Sequence, residues 1–286
     1  MSLSERISVE SGRESHRSRR SLTDLLGWTK SSYWMISIFF AIVFLIVIVW
    51  WPLAEEVLSY IDPARPLWLQ LDWLLLGIFL MMSLLIMAGA DLRADVWIVF
   101  VGLAGGLVIE SWGTQTQLWT YFTLERPPLW IIPAWPIASL SIDRVVRFLD
   151  KRFFQGPERV YKILYVAVFF IFLIAMVQFV YVTFNRSLTW AALLLCLFLI
   201  FTPVNWRLTL LTFAAGAGLG YFLELWGTTR ECWTYYTHQT PPFFAVLAHG
   251  MAAVAFWRAG LVLKWGWDQL LGRFRKQMVD SGSAAG

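Results

Sequence analysis

Charged residues are scarce in this chain. Asp, Glu, Lys and Arg make up 15% of its 286 residues, against roughly 25% in an average soluble domain, which excludes an ordinary water-soluble fold. Cysteine is nearly absent as well. Of the two present, Cys196 falls in an apolar segment and Cys232 in a polar one between apolar segments, so no disulfide framework is expected. Motifs for metals and nucleotides are missing too. The spacing of Glu231, Cys232, His238 and His249 fits neither HExxH nor CxxC, no Gly-rich phosphate loop follows a strand, and neither a GxSxG elbow nor a lipidation signal occurs. No metal site is expected, dinucleotide and ATP chemistry are improbable, and the cofactor is unknown.

What fills the chain is apolar: 58% hydrophobic residues, 17% of the total being aromatic. Windows long enough to cross a hydrocarbon core of about 30 Å lie at 33–51, 67–89, 95–112, 129–149, 161–184, 187–204, 207–227 and 242–264. The expected fold is an all-α integral membrane protein of about eight transmembrane helices. The window 187–204 is short and ends at Pro203, which leaves seven spans with one re-entrant segment as the alternative. Eight spans place nineteen Lys and Arg on one side and four (Arg65, Arg126, Arg186 and Arg230) on the other, so both termini are expected in the cytoplasm. The net charge of +4 is thus a topology signal and gives no reason to expect nucleic acid. The expected location is multi-pass in a membrane such as the bacterial inner membrane, with membrane lipids as partners. Residues 1–32 lack an apolar pattern and are expected to be a mobile basic tail against anionic lipid. They are not expected to act as a signal peptide, because the charged region is too long and a full span follows it.

Two stretches repeat one another. ESWGTQTQLWTYFT at Glu110–Thr123 and ELWGTTRECWTYYT at Glu224–Thr237 align at an offset of 114 and, carried on to Pro128 and Pro242, agree at ten of nineteen positions. Chance gives about one, so the chain contains an internal repeat. The offset spans four helices, an even number, so both halves cross in the same direction and form two parallel four-helix repeats. The expected division is a first repeat at 33–149, a basic linker at 150–160 (opening with DKRFFQGPE), a second repeat at 161–266 and a C-terminal tail at 267–286.

Before each motif, Gly102, Gly106 and Glu110 in one half and Gly216, Gly220 and Glu224 in the other recur every four residues, which puts them on one helical face. The glycines suit close helix packing, with Gly106 and Gly220 expected against neighbouring backbone. The glutamates point further: an intramembrane carboxylate is costly and usually faces a cavity where it carries function. Glu110 and Glu224 are therefore expected to converge near the outer leaflet as a general acid and base. Trp112, Trp119 and Tyr121 match Trp226, Trp233 and Tyr235 one for one. An interfacial aromatic belt constrains depth but not order, so these six are read as a structured outer loop that also binds substrate. Gly113 and Gly227 are expected to end their helices.

The copies also differ. Thr116, Gln117, Leu118, Leu124 and Trp135 are matched by Arg230, Glu231, Cys232, His238 and His249. Every ionisable gain lies in the second half, which is therefore expected to hold the chemistry: Glu224, His249, Glu231 and His238 as catalytic candidates with Glu110 across the axis, Arg230 as a substrate contact, and Trp135 as packing only. Paired intramembrane carboxylates in a duplicated bundle resemble the arrangement in tandem-repeat membrane enzymes of carotenoid metabolism, the lycopene cyclases and hydratases. Their proline-flanked double-acid motif is missing here, since Leu129 follows Pro127 and Pro128 and Phe243 follows Pro241 and Pro242, so the likeness covers the logic and not the residues. Three functions stay open: an enzyme acting on a lipid or polyprenoid ligand, a proton-coupled transporter, and an accessory or scaffold subunit of a membrane complex.

Overall fold

The computed structural model describes residues 23, 27–152, 156–201 and 205–283. Most of the expected N-terminal tail, residues 153–155 of the linker and Pro203 lie outside them. The described chain is helical. Nine α-helices are described: α1 (Lys30–Val49), α2 (Trp51–Ser59), α3 (Trp73–Met87), α4 (Leu92–Gln115), α5 (Ala134–Arg152), α6 (Glu158–Val180), α7 (Ser187–Ile200), α8 (Trp206–Thr229) and α9 (Phe243–Ser283), with strands β1 (Trp119–Tyr121) and β2 (Trp233–Tyr235) following α4 and α8.

Several helix starts are written in the sequence. Asp72 caps α3 by accepting from the Leu74 and Leu75 amides at 3.1 and 3.2 Å. Asp91 caps α4 through the Arg93 amide at 3.0 Å, and Asn205 caps α8 through the Leu208 amide at 2.9 Å. Each supplies an acceptor to amides that have no partner inside the helix. The end of the expected tail is anchored: Thr29 Oγ1 donates to the Ala90 carbonyl at 2.8 Å and Ser32 Oγ to that of Met87 at 2.5 Å. These bonds tie the start of α1 to the turn between α3 and α4.

Five helices are long and apolar enough to cross a membrane: α1, α4, α6 with the 3-10 turn that follows it, α8, and α9 as far as Gly272. The chain is a multi-pass membrane protein. α3 and α7 are apolar but shorter than a full span. The window at 67–89 overestimates α3 because Leu67–Leu69 forms a separate 3-10 turn before Trp73, and residues 202–204 of the window at 187–204 lie outside the described residues. α5 begins at Ala134 rather than at 129, after a run of turns following Pro128. Helix α9 continues to Ser283, through the segment expected to be a tail.

β1 and β2 join the two motif copies. They pair antiparallel with Trp119 opposite Tyr235, Thr120 opposite Thr234 and Tyr121 opposite Trp233. The Phe122 amide donates to the Cys232 carbonyl at 3.2 Å, and the Tyr236 amide to that of Leu118 at 3.1 Å. These are the same bond seen from each copy. Below this ribbon α4, α5, α8 and α9 pack together, and the aromatic core formed with α6 and α7 includes Trp112, Trp119, Tyr121, Trp233 and Tyr235.

Candidate functional site

Glycine makes the site possible. A Cβ on Gly113 would lie 1.9 Å from the Trp119 ring, and one on Gly227 2.0 Å from the Trp233 ring. These glycines sit inside their helices and do not end them, because α4 and α8 run on to Gln115 and Thr229. Their role is to admit an indole against the helix surface. Gly102 meets the backbone of Pro136, and Gly216 that of His249 and Gly250. Gly106 and Gly220, expected against backbone, instead meet side chains: a Cβ on Gly106 would lie 2.4 Å from Trp135, and one on Gly220 2.3 Å from His249.

The inserted rings reach the carboxylates. Glu110 and Glu224 are 3% and 2% exposed, so each needs donors in place of water. Glu110 accepts from Trp119 Nε1 at 3.1 Å, Tyr121 Oη at 3.0 Å and Trp135 Nε1 at 3.1 Å. Glu224 accepts from Trp233 Nε1 at 3.0 Å and Tyr235 Oη at 2.8 Å, with His249 Nε2 at 2.9 Å as its third partner. Two of the three partners are the same in both copies. The third is where they differ: an indole only donates, whereas an imidazole donates or accepts. Trp135 is therefore a polar partner of Glu110 as well as packing, a role that its aromatic character conceals in the sequence. Its ring stacks on His249 at 5.7 Å between centroids and 17° between planes.

Both carboxylates, the four strand aromatics, Trp112, Trp135 and His249 line one cleft of about 470 Å³. Away from the carboxylates its walls are apolar, formed by side chains such as Ala104, Cys196, Ala252, Phe256 and Leu263. Trp119 faces Tyr235 across the strand pair, and Tyr121 faces Trp233, each at 5.8 Å between centroids.

Other expected site residues lie elsewhere. Trp226 is outside the cleft lining and donates to Asp72 Oδ2 at 3.0 Å, and Arg230 Nε pairs with the same oxygen at 2.9 Å. Glu231 and His238 are exposed and hold positive φ of 53° and 55°, as do Gln117 and Leu124 in the other copy. Those positions turn the chain around the strands, so the ionisable side chains they carry point to the surface of the loop. Cys232 is partly buried beside them, and burial pushes its thiol up to about 12.

A second polar cluster is invisible in the sequence. Arg144 Nη2 donates to Asp95 Oδ2 at 2.6 Å and Nη1 to Asp143 Oδ2 at 2.5 Å, with the Arg144 and Asp95 side chains 3% and 1% exposed. By sequence Arg144 is only one of the nineteen topology charges. Asp95 lies fifteen residues before Glu110 on α4, about 22 Å along the helix, so this pair is remote from the two glutamates. Among the described residues no group of three or more His, Cys, Asp and Glu comes together to hold a metal ion.

Fold and site together define a helical membrane protein with an aromatic-capped carboxylate pair at the closed end of an apolar cleft. Compared with known proteins, the chain matches no family model, no curated protein and no solved structure.

Proposed function

We propose that the chain is a membrane enzyme of two parallel four-helix halves, about eight spans in all, that performs acid–base chemistry on a lipid or polyprenoid entering from the bilayer. The observation that carries this reading is the cleft itself: apolar walls leading to two buried carboxylates and an imidazole, with no Lys or Arg and no further carboxylate among the described residues that line it. A transport path needs polar groups along its length, and a scaffold needs no cavity.

Glu224 and His249 act as the acid–base couple. A proton passes from Glu224 to a carbon–carbon double bond, leaving a carbocation between the rings of Trp119, Tyr121, Trp233 and Tyr235, whose faces stabilise positive charge. A proton then leaves the neighbouring carbon for His249 and returns through the 2.9 Å contact to Glu224. A double bond re-forms in a new position, and no co-reactant is consumed. Glu110, held by three donors, contributes negative charge to the same space.

The test compares the neutral lipids of membranes carrying wild-type protein, Glu224→Gln or His249→Ala. The expected result is one substrate–product pair of equal mass that shifts with wild type and is unchanged, to within about 1%, with either variant. Neutral lipids that are identical with and without the wild-type protein would overturn catalysis.

A further inference from the structure

The cleft lies among α4, α7 and α9, whereas the corresponding interface among α8, α3 and α5 is packed, and the residues that open it can be read by comparing the two copies. Residues 114 positions apart occupy corresponding places on α3 and α7, α4 and α8, and α5 and α9. On the closed side, Leu219 of α8 packs with Ile78 and Met82 of α3 and with Ile142 of α5. On the open side the counterpart of Leu219 is Gly105, that of Met82 is Cys196 and that of Ile142 is Phe256. All three line the cleft. Exchanging Leu219 and Met82 for Gly105 and Cys196 removes side-chain volume from an otherwise similar interface, and Phe256, larger than Ile142, takes up only the notch at Gly105.

Phe256 occupies the notch at Gly105. A Cβ on Gly105 would lie 2.1 Å from the Phe256 ring, and that ring is 5.8 Å from the Trp135 ring. Phe256 therefore stands between the carboxylate end and the outer part of the cleft. That outer part is lined by Phe100, Val262 and Leu263, which are 56%, 47% and 41% exposed. In a bilayer those surfaces face acyl chains, so the cleft opens sideways between α4 and α9.

Resting on the reading of the cleft as a lipid site, we infer that Gly105 and Phe256 form its lateral entrance, and that the entrance selects a slender chain arriving with an uncharged end first. Size selection follows from the notch, where one aromatic ring fits only because residue 105 has no side chain. Charge selection follows from the far end, where an anionic headgroup would meet Glu110 and Glu224 with no Lys or Arg among the described lining residues to neutralise it. A phosphate-bearing end therefore stays outside, and a hydrocarbon or alcohol end passes.

The experiment uses full-length protein in lipid vesicles and two photoreactive probes: a sixteen-carbon alcohol with a diazirine near its hydroxyl end, and its phosphate monoester. Cross-links are mapped by peptide mass spectrometry. With wild type, the alcohol is expected to label the segments around Glu110 and His249, and the phosphate ester at least tenfold less. The double variant Gly105→Leu/Phe256→Ile copies the closed side and is expected to lower alcohol labelling there at least tenfold. Gly105→Ala, which adds one methyl group under the Phe256 ring, is expected to lower it severalfold and serves if the double variant does not fold. Leu219→Gly, on the opposite interface, is expected to leave it unchanged. Undiminished alcohol labelling in folded Gly105→Ala and double-variant protein overturns the entrance while the lipid-site reading stands. Equal labelling by alcohol and phosphate overturns the charge selection. Absence of cleft labelling by either probe in wild type overturns the lipid-site reading and the entrance with it.

Discussion

Gly113 has an indole where its side chain would be, and so does Gly227. Alanine at either position is expected to push out Trp119 or Trp233 and break its bond to the carboxylate, at a cost of about 1–3 kcal/mol from overpacking alone. Gly218, whose Cβ position meets nothing within 4 Å, provides the contrast: alanine there is expected to stabilise α8 by up to about 1 kcal/mol. Thermal unfolding in detergent measures both, and a Gly113→Ala protein as stable as wild type would show that the indole is not held there. Trp135→Phe keeps the ring but removes a donor from Glu110, for an expected loss of about 1–3 kcal/mol. Trp130→Phe removes only a 3.4 Å bond to Thr123 Oγ1 and is expected to lose less, because its partner is neutral. Equal unfolding temperatures for the two variants would remove Trp135 from the carboxylate's support.

At the scale of elements, Asp72 holds the start of α3 to the end of α8. Its carboxylate caps α3 and accepts from both Trp226 and Arg230. Arg230→Ala breaks only a half-exposed ion pair and is expected to cost less than about 1 kcal/mol, whereas Asp72→Ala also removes the cap, worth roughly 0.5–2 kcal/mol more. Denaturation of the two single variants checks the order; a larger loss from Arg230→Ala would mean that the arginine does more than pair. The loop that joins α8 to β2 gives a chemical readout. Because burial holds the Cys232 thiol up at about 12, its thiolate fraction at pH 8 is on the order of a thousandfold below that of an exposed thiol. Maleimide labelling of a Cys196→Ser protein is therefore expected to be slow while folded, to speed up as pH rises toward 12, and to become fast at pH 8 only on unfolding. Rapid labelling of the folded protein at pH 8 would contradict the burial.

For the molecule as a whole, convergence of the glutamates was legible because two costly carboxylates stood at equivalent places in a repeated motif. His249 was legible for the opposite reason, as an ionisable residue standing where the first copy has Trp135. The strand pair was not. Three residues of WTY carry no period that separates a strand from an interfacial aromatic belt, and the partners lie 112 to 116 positions apart in the chain. Arg230, Glu231 and His238 were misleading because an ionisable residue looks alike in sequence whether it faces a cleft or a loop surface, and only the positive φ of Glu231 and His238 separates the two. Asp95 and Arg144 were hidden as a pair because nothing in their spacing joins α4 to α5. The proposed orientation has its own test: reporter fusions after Ser283 and within the loop at Glu231 are expected to report opposite sides of the membrane, with the end of α9 in the cytoplasm. Both on one side would invalidate the eight-span arrangement.

The partners of each carboxylate have a consequence for biogenesis. Glu110 is satisfied by residues 119, 121 and 135, and Glu224 by residues 233, 235 and 249, so neither draws on the other half of the chain. At roughly 5–20 residues per second of synthesis, the second copy of the motif leaves the ribosome on the order of ten seconds after the first. During that interval the first carboxylate is already supplied with its donors, and a newly inserted half carries no orphan charge into the lipid. What waits for the second half includes the ribbon, the bonds of Asp72 to Trp226 and Arg230, and the stack of Trp135 on His249. The late step of assembly is then the docking of two units whose cleft carboxylates are already supplied with donors, and two separately translated halves have what they need to find one another in the membrane.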